Sequence, residues 1–297
     1  MDRLIFNKFK KTALYRKSIA FLMEFYRKLK KILVKPDEYV KYPPILANSF
    51  PKSGTHLLLQ IIEPFPKVRN YKKFIASMPT ITFRERSKIN TIKLINSILP
   101  GEIVAAHLFY DEDYHKVLIK LNVAHFFIYR DLRDVVVSEA FYLSKMNRWH
   151  RLHKYFKSLS SIEDQIMFSI KGNSFLKTPY DYPNIAERFK RYAKWIRCQN
   201  VFSLKYEDLI SEKKREVITN MIQFYLYRIK DKRKEGYNLN ELVQKSLENI
   251  NPEKSHTFRR GERGNWKKFF TEEHKKAMKE VAGDLLIKLG FEKDLDW

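Results

Sequence analysis

Phe50-Pro51-Lys52-Ser53-Gly54-Thr55-His56 is the stretch that decides how this chain of 297 residues is read. The apolar run Ile45-Leu46-Ala47-Asn48-Ser49 precedes it and Leu57-Leu58-Leu59-Gln60-Ile61-Ile62 follows it: a strand, a tight loop and a helix start. A loop of this kind turns several backbone N–H groups toward one point at a helix N-terminus, where an anion is held. Lys52 adds a full positive charge, and Ser53 and Thr55 add hydroxyl donors. The segment reads as an oxyanion cradle. A Walker A loop needs G-x-x-x-x-G-K-[ST], with the lysine after the second glycine. Here Lys52 precedes Gly54, so an ordinary ATP or GTP loop is a poor match.

Working outward, the strands read as 45–50, 103–107, 124–129 and 201–205. The helices read as 54–63, 111–121, 132–146, 184–197, 212–225 and 272–289. Apolar strands alternating with helices predict an α/β fold, a three-layer sandwich with a central parallel sheet covered on both faces. Ligands in such sheets bind beyond the C-terminal ends of the strands, where residues 51–55 lie. Residues 66–100 and 146–180 are less regular and are expected to form loops over the ligand site.

Composition bounds the alternatives. The hydrophobic fraction of 44% is enough for a sizeable core. The single cysteine, Cys198, excludes an internal disulfide framework and a Cys-rich zinc site. No apolar run reaches the roughly 18 residues of a membrane span. The net charge of +24 attracts polyanions (nucleic acid, anionic lipid, phosphorylated or sulfated ligands) without choosing among them. No zinc-finger spacing, RNP-like motif or heptad repeat supports a specific nucleic-acid partner.

Residues 1–35 carry eleven Lys or Arg against Asp2 and Glu24. Phe21, Leu22, Phe25, Leu29, Ile32 and Leu33 recur at helical spacing, which predicts an amphipathic helix. It fits an anionic membrane surface, and equally a helix docked on the main domain. Pro36 and Pro43-Pro44 mark a boundary, giving a basic N-terminal helical segment, 1–44, and a main domain, 45–297. The short apolar stretch 19–23 lacks the cleavage site of a secretory signal. The expectation is a cytoplasmic protein, with residues 1–35 either in peripheral membrane contact or docked on the main domain.

Three further segments carry chemistry. In Tyr129-Arg130-Asp131-Leu132-Arg133-Asp134-Val135-Val136-Val137-Ser138, Arg130 stands at a strand end and Ser138 about two turns along the next helix. A guanidinium and a hydroxyl so placed jointly hold a phosphate. Asp131, Arg133 and Asp134 read as a helix cap and local ion pairs. In Phe258-Arg259-Arg260-Gly261-Glu262-Arg263-Gly264-Asn265-Trp266, two glycines among basic residues form a loop able to wrap a phosphate, with Trp266 as packing. Leu204-Lys205-Tyr206-Glu207-Asp208-Leu209 closes a strand with an aromatic residue.

In order, these segments resemble the PKSGT, Y-R-[DN]-x-[RK]-D-V-x-V-S, x-[RK]-Y-E-D-[LM] and R-[KR]-G-x-x-G-[DN]-W-x-x-x-F-[TS] motifs of sulfotransferases that use PAPS (3′-phosphoadenosine 5′-phosphosulfate). The resemblance spans roughly residues 45–290. It implies a P-loop-like fold and transfer of a sulfuryl group from PAPS to an acceptor hydroxyl or amine, with 3′-phosphoadenosine 5′-phosphate (PAP) as product and no metal. It assigns Lys52, Ser53, Gly54 and Thr55 to the phosphosulfate, together with His56, which replaces a common Thr. It assigns Arg130, Ser138, Arg259, Arg260 and Gly261 to the 3′-phosphate, and Tyr206 to the adenine. Lys52 also falls where a cation stabilises the leaving group. His107, closing its strand, matches the family's catalytic histidine in K-T-H and suits a base because its ordinary pKa lies near neutrality. Ala105 departs from the pattern, standing where a Lys is frequent. Asp111, Glu112 and His115 are the other candidate bases.

The basic, aromatic loops with Tyr71, Lys72, Lys73 and Phe74, and with Arg148, Trp149, His150 and Arg151, favour a polar acceptor such as a glycan. A lipid headgroup would suit them equally, and a small phenol or sterol would call for a drier pocket. Two other classes compete. A P-loop-like nucleotide kinase requires the Walker A loop that is missing here. A noncatalytic polyanion or membrane-surface binder would be indifferent to Lys52 and His107.

Overall fold

The computed structural model describes residues 13–230, 236–251 and 262–297, with side chains from residue 23 onward. Five strands form one sheet: β1 (Ile45–Ser49), β2 (Arg69–Ala76), β3 (Glu102–His107), β4 (Ala124–Tyr129) and β5 (Val201–Lys205). All pairings are parallel, in the order β2-β3-β1-β4-β5. The central strand β1 sets Ile45 beside Ile103 on one side and Ala124 on the other, and all five of its residues are buried. Continuous apolar runs are what a sheet covered on both faces demands.

Alternation along the strands divides the core in two. Ile45, Ala47, Phe126 and Ile128 face the layer made by α2 (Thr55–Ile62), α8 (Lys214–Arg228) and α9 (Leu239–Glu248). Leu46, Val104, Phe127 and Tyr129 face the other layer. That layer contains α3 (Lys88–Asn96), α4 (Glu112–Lys120), α5 (Leu132–Phe141), α6 (Ile162–Lys171), α7 (Ile185–Ala193) and α10 (Glu272–Lys288). The three-layer α/β sandwich expected from the sequence is the observed one.

Four places differ from expectation, the first being α9, a helix outside those read from the sequence. Residues 66–100, read as irregular, contain β2 and α3. Strand β2 breaks the period-two pattern because its register shifts between Asn70 and Phe74, leaving Lys72 and Phe74 exposed. Residues 146–180 contain α6 and a shorter helix, His153–Ser158. The helix expected over 132–146 is α-helical to Phe141 and continues as a π turn, Tyr142–Met146.

Helix α1 (Ala13–Leu33) lies against the edge strand β2, with Tyr26 and Tyr71 ring centroids 5.9 Å apart. Its anchor is ionic. Arg27 Nε and Nη2 donate to Glu102 at 2.5 and 3.0 Å, and Nη2 also donates to the Ser97 carbonyl at 2.9 Å. Glu102 is fully buried and accepts from the Leu99 N–H as well. Lys31 reaches the Tyr39 hydroxyl, which itself donates to the Ile98 carbonyl. No helix among the described residues is long and apolar enough to cross a membrane. Removing one member of a buried ion pair strands the other, at a cost of about 3 kcal/mol or more. Glu102→Ala is therefore expected to lower stability by about 3 kcal/mol in urea unfolding, and a loss below about 1 kcal/mol would mean the pair is not buried in solution.

Candidate active site

The chain leaves β1 toward the β2 edge and leaves β3 back across the sheet to β4. A crevice opens at such a reversal, beyond the strand ends, and the loop 50–54 lies in it. The Phe50 N–H donates to Ile128 O and the Ser53 N–H to Phe50 O, closing a tight turn. Lys52 and Gly54 take left-handed backbone angles, φ 66° and 100°. A Cβ at Gly54 would lie 2.6 Å from Cδ2 of Tyr206, so only glycine fits. The first turn of α2 has no preceding turn to accept its N–H groups, and an anion can take them.

A cavity of about 720 Å³ opens over this loop. Lys52, Gly54, Thr55, His56, His107, Arg130, Ser138 and Tyr206 all line it, so residues distant in sequence converge as the motifs imply. Ser53 is the exception. It is fully buried behind the loop, off the cavity wall, and its hydroxyl has no partner among the described residues. Arg259, Arg260 and Gly261 lie outside the described residues.

His107 ends β3 beside the cradle. Its Nδ1 lies 2.9 Å from the Ser49 carbonyl and 3.1 Å from the Ser49 hydroxyl, which is 2.6 Å from the Thr55 hydroxyl. A carbonyl only accepts, so Nδ1 carries the proton in this arrangement and Nε2 keeps its lone pair. Phe74 stands edge-on to the imidazole at 5.0 Å. Burial pulls the pKa down to about 4, helped by the positive charges of Lys52 and His56 and opposed by the Ser49 hydrogen bond. The ring is neutral at pH 7.

Lys52 Nζ sits 3.7 Å from the centroid of the Tyr142 ring, a cation–π contact. Tyr142 opens the π turn that follows α5, and such turns recur at functional sites.

Arg130 stands where β4 ends. Its Nη2 donates to Asp134 at 3.2 Å and to the Glu262 carbonyl at 2.7 Å, and its Cζ lies 4.5 Å from the Tyr206 ring centroid. Its Nε is buried with no partner among the described residues. Asp134 accepts from the N–H groups of Gly264 and Trp266, each at 2.9 Å, and so fastens the last motif to the second. Burial raises the Asp134 pKa against the opposing charge of Arg130. Asp131 caps α5 through the Arg133 N–H and pairs with the Arg133 guanidinium. That guanidinium stacks between Trp266 and Trp297, at 4.2 and 4.5 Å. The cap, ion-pair and packing roles read from the sequence are the observed ones.

The other candidate bases lie elsewhere. Asp111 caps α4 and pairs with Lys88, Glu112 accepts from Tyr110, and His115 contacts the Gln199 carbonyl. None of the three lines the cavity. A carboxylate that does, Glu139, escaped the sequence reading. It accepts from Ser169, Tyr182 and Arg188 across α5, α6 and α7. Tyr142 escaped too, because nothing local announces a π turn.

The chain matches the family model described as "Sulfotransferase domain" over residues 43–290 and belongs to that family, whose reaction is sulfuryl transfer. Its fold is similar to that of mouse sulfotransferase SULT7A1 complexed with PAP, at 18% identity and TM-score 0.54, covering 83% of this chain and 84% of that one. It is also similar to retinol dehydratase in complex with androsterone and the inactive cofactor PAP (18%, TM-score 0.54, 85% and 81%). The complex of retinol dehydratase with retinol and PAP gives 18%, 0.52, 82% and 81%. No curated protein matches the chain in sequence.

Gly54→Ala is expected to destabilise the fold by about 2–3 kcal/mol, combining left-handed strain with the Tyr206 contact. In a Tyr206→Ala background the same change should cost only about 1 kcal/mol. Equal penalties in a double-mutant cycle of thermal unfolding would refute the steric account.

Proposed function

We propose that this chain moves a sulfuryl group from PAPS to an acceptor hydroxyl, with His107 as base and Lys52 stabilising the leaving group. The observation that carries this reading is the convergence of the four motif segments on one cavity beside a neutral His107 whose Nε2 keeps its lone pair. The residues fit the donor. Gly54 permits close backbone approach, and Arg130 has a buried Nε without a partner among the described residues. When bound, PAPS supplies the sulfuryl group and the 3′-phosphate that distinguishes it from ADP. The first turn of α2, with Lys52, Thr55 and His56, holds the phosphosulfate end. Arg130 and Ser138, with Arg259, Arg260 and Gly261, hold the 3′-phosphate, and Tyr206 flanks the adenine.

His107 Nε2 takes the acceptor proton. The Ser49 carbonyl, already accepting from Nδ1, steadies the imidazolium that results. Lys52 offsets the charge that develops on the oxygen left behind. Seating the Lys52 ammonium against the Tyr142 ring keeps it directed into the cavity.

For the acceptor, the wall favours an apolar body bearing a hydroxyl over a glycan. Among the residues that suggested a glycan, only Phe74 and His150 line the cavity; Tyr71, Lys72, Lys73, Arg148, Trp149 and Arg151 do not. Met78, Phe83, Phe109, Tyr182 and Tyr192 line it with them, beside a few charged groups, Arg86, Asp181, Arg188 and Arg191. Pockets so lined recognise apolar surface and fix orientation with few polar groups.

Calorimetric titration with PAP against ADP tests the donor. A preference for PAP of at least about tenfold, lost in Arg130→Ala, is expected; no preference would refute the 3′-phosphate assignment. His107→Ala should cut turnover at least about 100-fold with PAP affinity unchanged. Because the folded pKa is depressed, His107 stays in its basic form until pH falls through about 4. The acid limb of kcat/KM for the donor should lie near pH 4 rather than near the ordinary histidine value. Normal turnover in His107→Ala would remove it as the base.

A further inference from the structure

Over the part of helix α1 with described side chains, residues 23–33, the helix is docked inside out. A surface helix ordinarily buries its apolar stripe and shows charge to water. Here the charged side holds the helix: Arg27 is buried against Glu102, Lys31 bonds Tyr39, and Lys30 lies over the Tyr71 ring. The apolar side faces out. Phe25 is 58% exposed, Leu29 50%, Ile32 80% and Leu33 77%. Their spacing of four, three and one places them on one face. The exposed Lys28 and Lys35 lie beside this stripe in the sequence.

We propose that this face of α1 docks on an anionic lipid surface. Two features on one helix select that occupant. The stripe offers side chains that enter the boundary between headgroups and acyl chains. The segment around it is basic: residues 1–35 carry eleven Lys or Arg against two acids, and with Arg27, Lys30 and Lys31 turned to the domain eight remain, Lys28 and Lys35 exposed among them. Each basic residue near an anionic leaflet adds attraction. A second copy of the chain would cover the stripe but would bring two basic segments together. A nucleic acid would match the charge but leave Phe25, Leu29, Ile32 and Leu33 in water. The helix lies on the bilayer and does not span it, since it carries too many charges for that. Strand β2, against which α1 packs, also supplies Phe74 to the cavity wall, so the docking face and the acceptor wall share one edge of the sheet.

The full chain is incubated with vesicles of phosphatidylcholine alone, or with about 30% phosphatidylserine, and sedimented at physiological salt. Wild type is expected to sediment with the anionic vesicles and not with the neutral ones. The double variant Ile32→Asp/Leu33→Asp should lose this binding by at least about tenfold, with its unfolding transition unchanged because both positions are exposed. Leu29→Ser/Ile32→Ser, which adds no charge, should weaken it in the same direction. Absence of wild-type binding to anionic vesicles, or undiminished binding by both variants, overturns the proposal. So does a wild-type dimer in lipid-free sedimentation that Ile32→Asp/Leu33→Asp converts to monomer, because the stripe would then be an interface between copies.

Discussion

Ser49 is where three parts of the molecule meet. It ends the central strand, its hydroxyl reaches Thr55 at the start of α2, and its carbonyl accepts a hydrogen bond from Nδ1 of His107 at the end of β3. The first contact is local to the turn after β1, and the second depends on β1 lying beside β3. A polar residue buried at a strand end must find partners, and here the partners are the anion cradle and the imidazole. The same bonds that satisfy Ser49 select the histidine tautomer and fix the ring beside the loop. The placement of His107 beside the cradle is thus a consequence of sheet order.

A second set of buried polar groups completes the other end of the cavity. Asp134 stands between Arg130 and the N–H groups of Gly264 and Trp266, and Arg133 is held by Asp131, Glu292 and two tryptophan rings. Burial alone would make these charges costly. Shared among several partners, they become a clasp that brings the chain from residue 262 onward over the end of β4. Arg130 keeps one nitrogen, Nε, outside this clasp. The structural ion pairs hold the guanidinium in place without using its whole capacity to donate.

Sequence made the central strands legible because β1, β3 and β4 each carry a run of consecutive apolar residues with polar residues mainly near their ends, as burial on both faces requires. It hid β2, where Lys72, Lys73 and a register shift erase the alternation. The cradle was legible because its constraints are local: a glycine at φ 100° and a lysine at a helix start. The rest of the cavity wall was not. Tyr142 lies in a π turn, and Glu139 is held by Ser169, Tyr182 and Arg188, none of them near it in sequence. The two basic loops were legible as sequence but not in the direction of their side chains. Proximity in sequence to the wall says nothing about which side chains turn inward, and Phe74 and His150 do so while their charged neighbours do not.

The Arg27–Glu102 pair and the exposed stripe lie on opposite sides of the same helix. A buried ion pair contributes modestly to stability, since desolvation offsets most of the attraction, but it is specific in direction. Docking α1 by Phe25, Leu29, Ile32 and Leu33 would remove more apolar surface from water, at about 25 cal/mol per Å². The rotation that seats Arg27 on Glu102 forbids this. A fold governed by burial alone would turn the helix over. The observed orientation gives up that burial and leaves Phe25, Leu29, Ile32 and Leu33 exposed. Glu102, at the start of β3, sets that orientation from within the sheet.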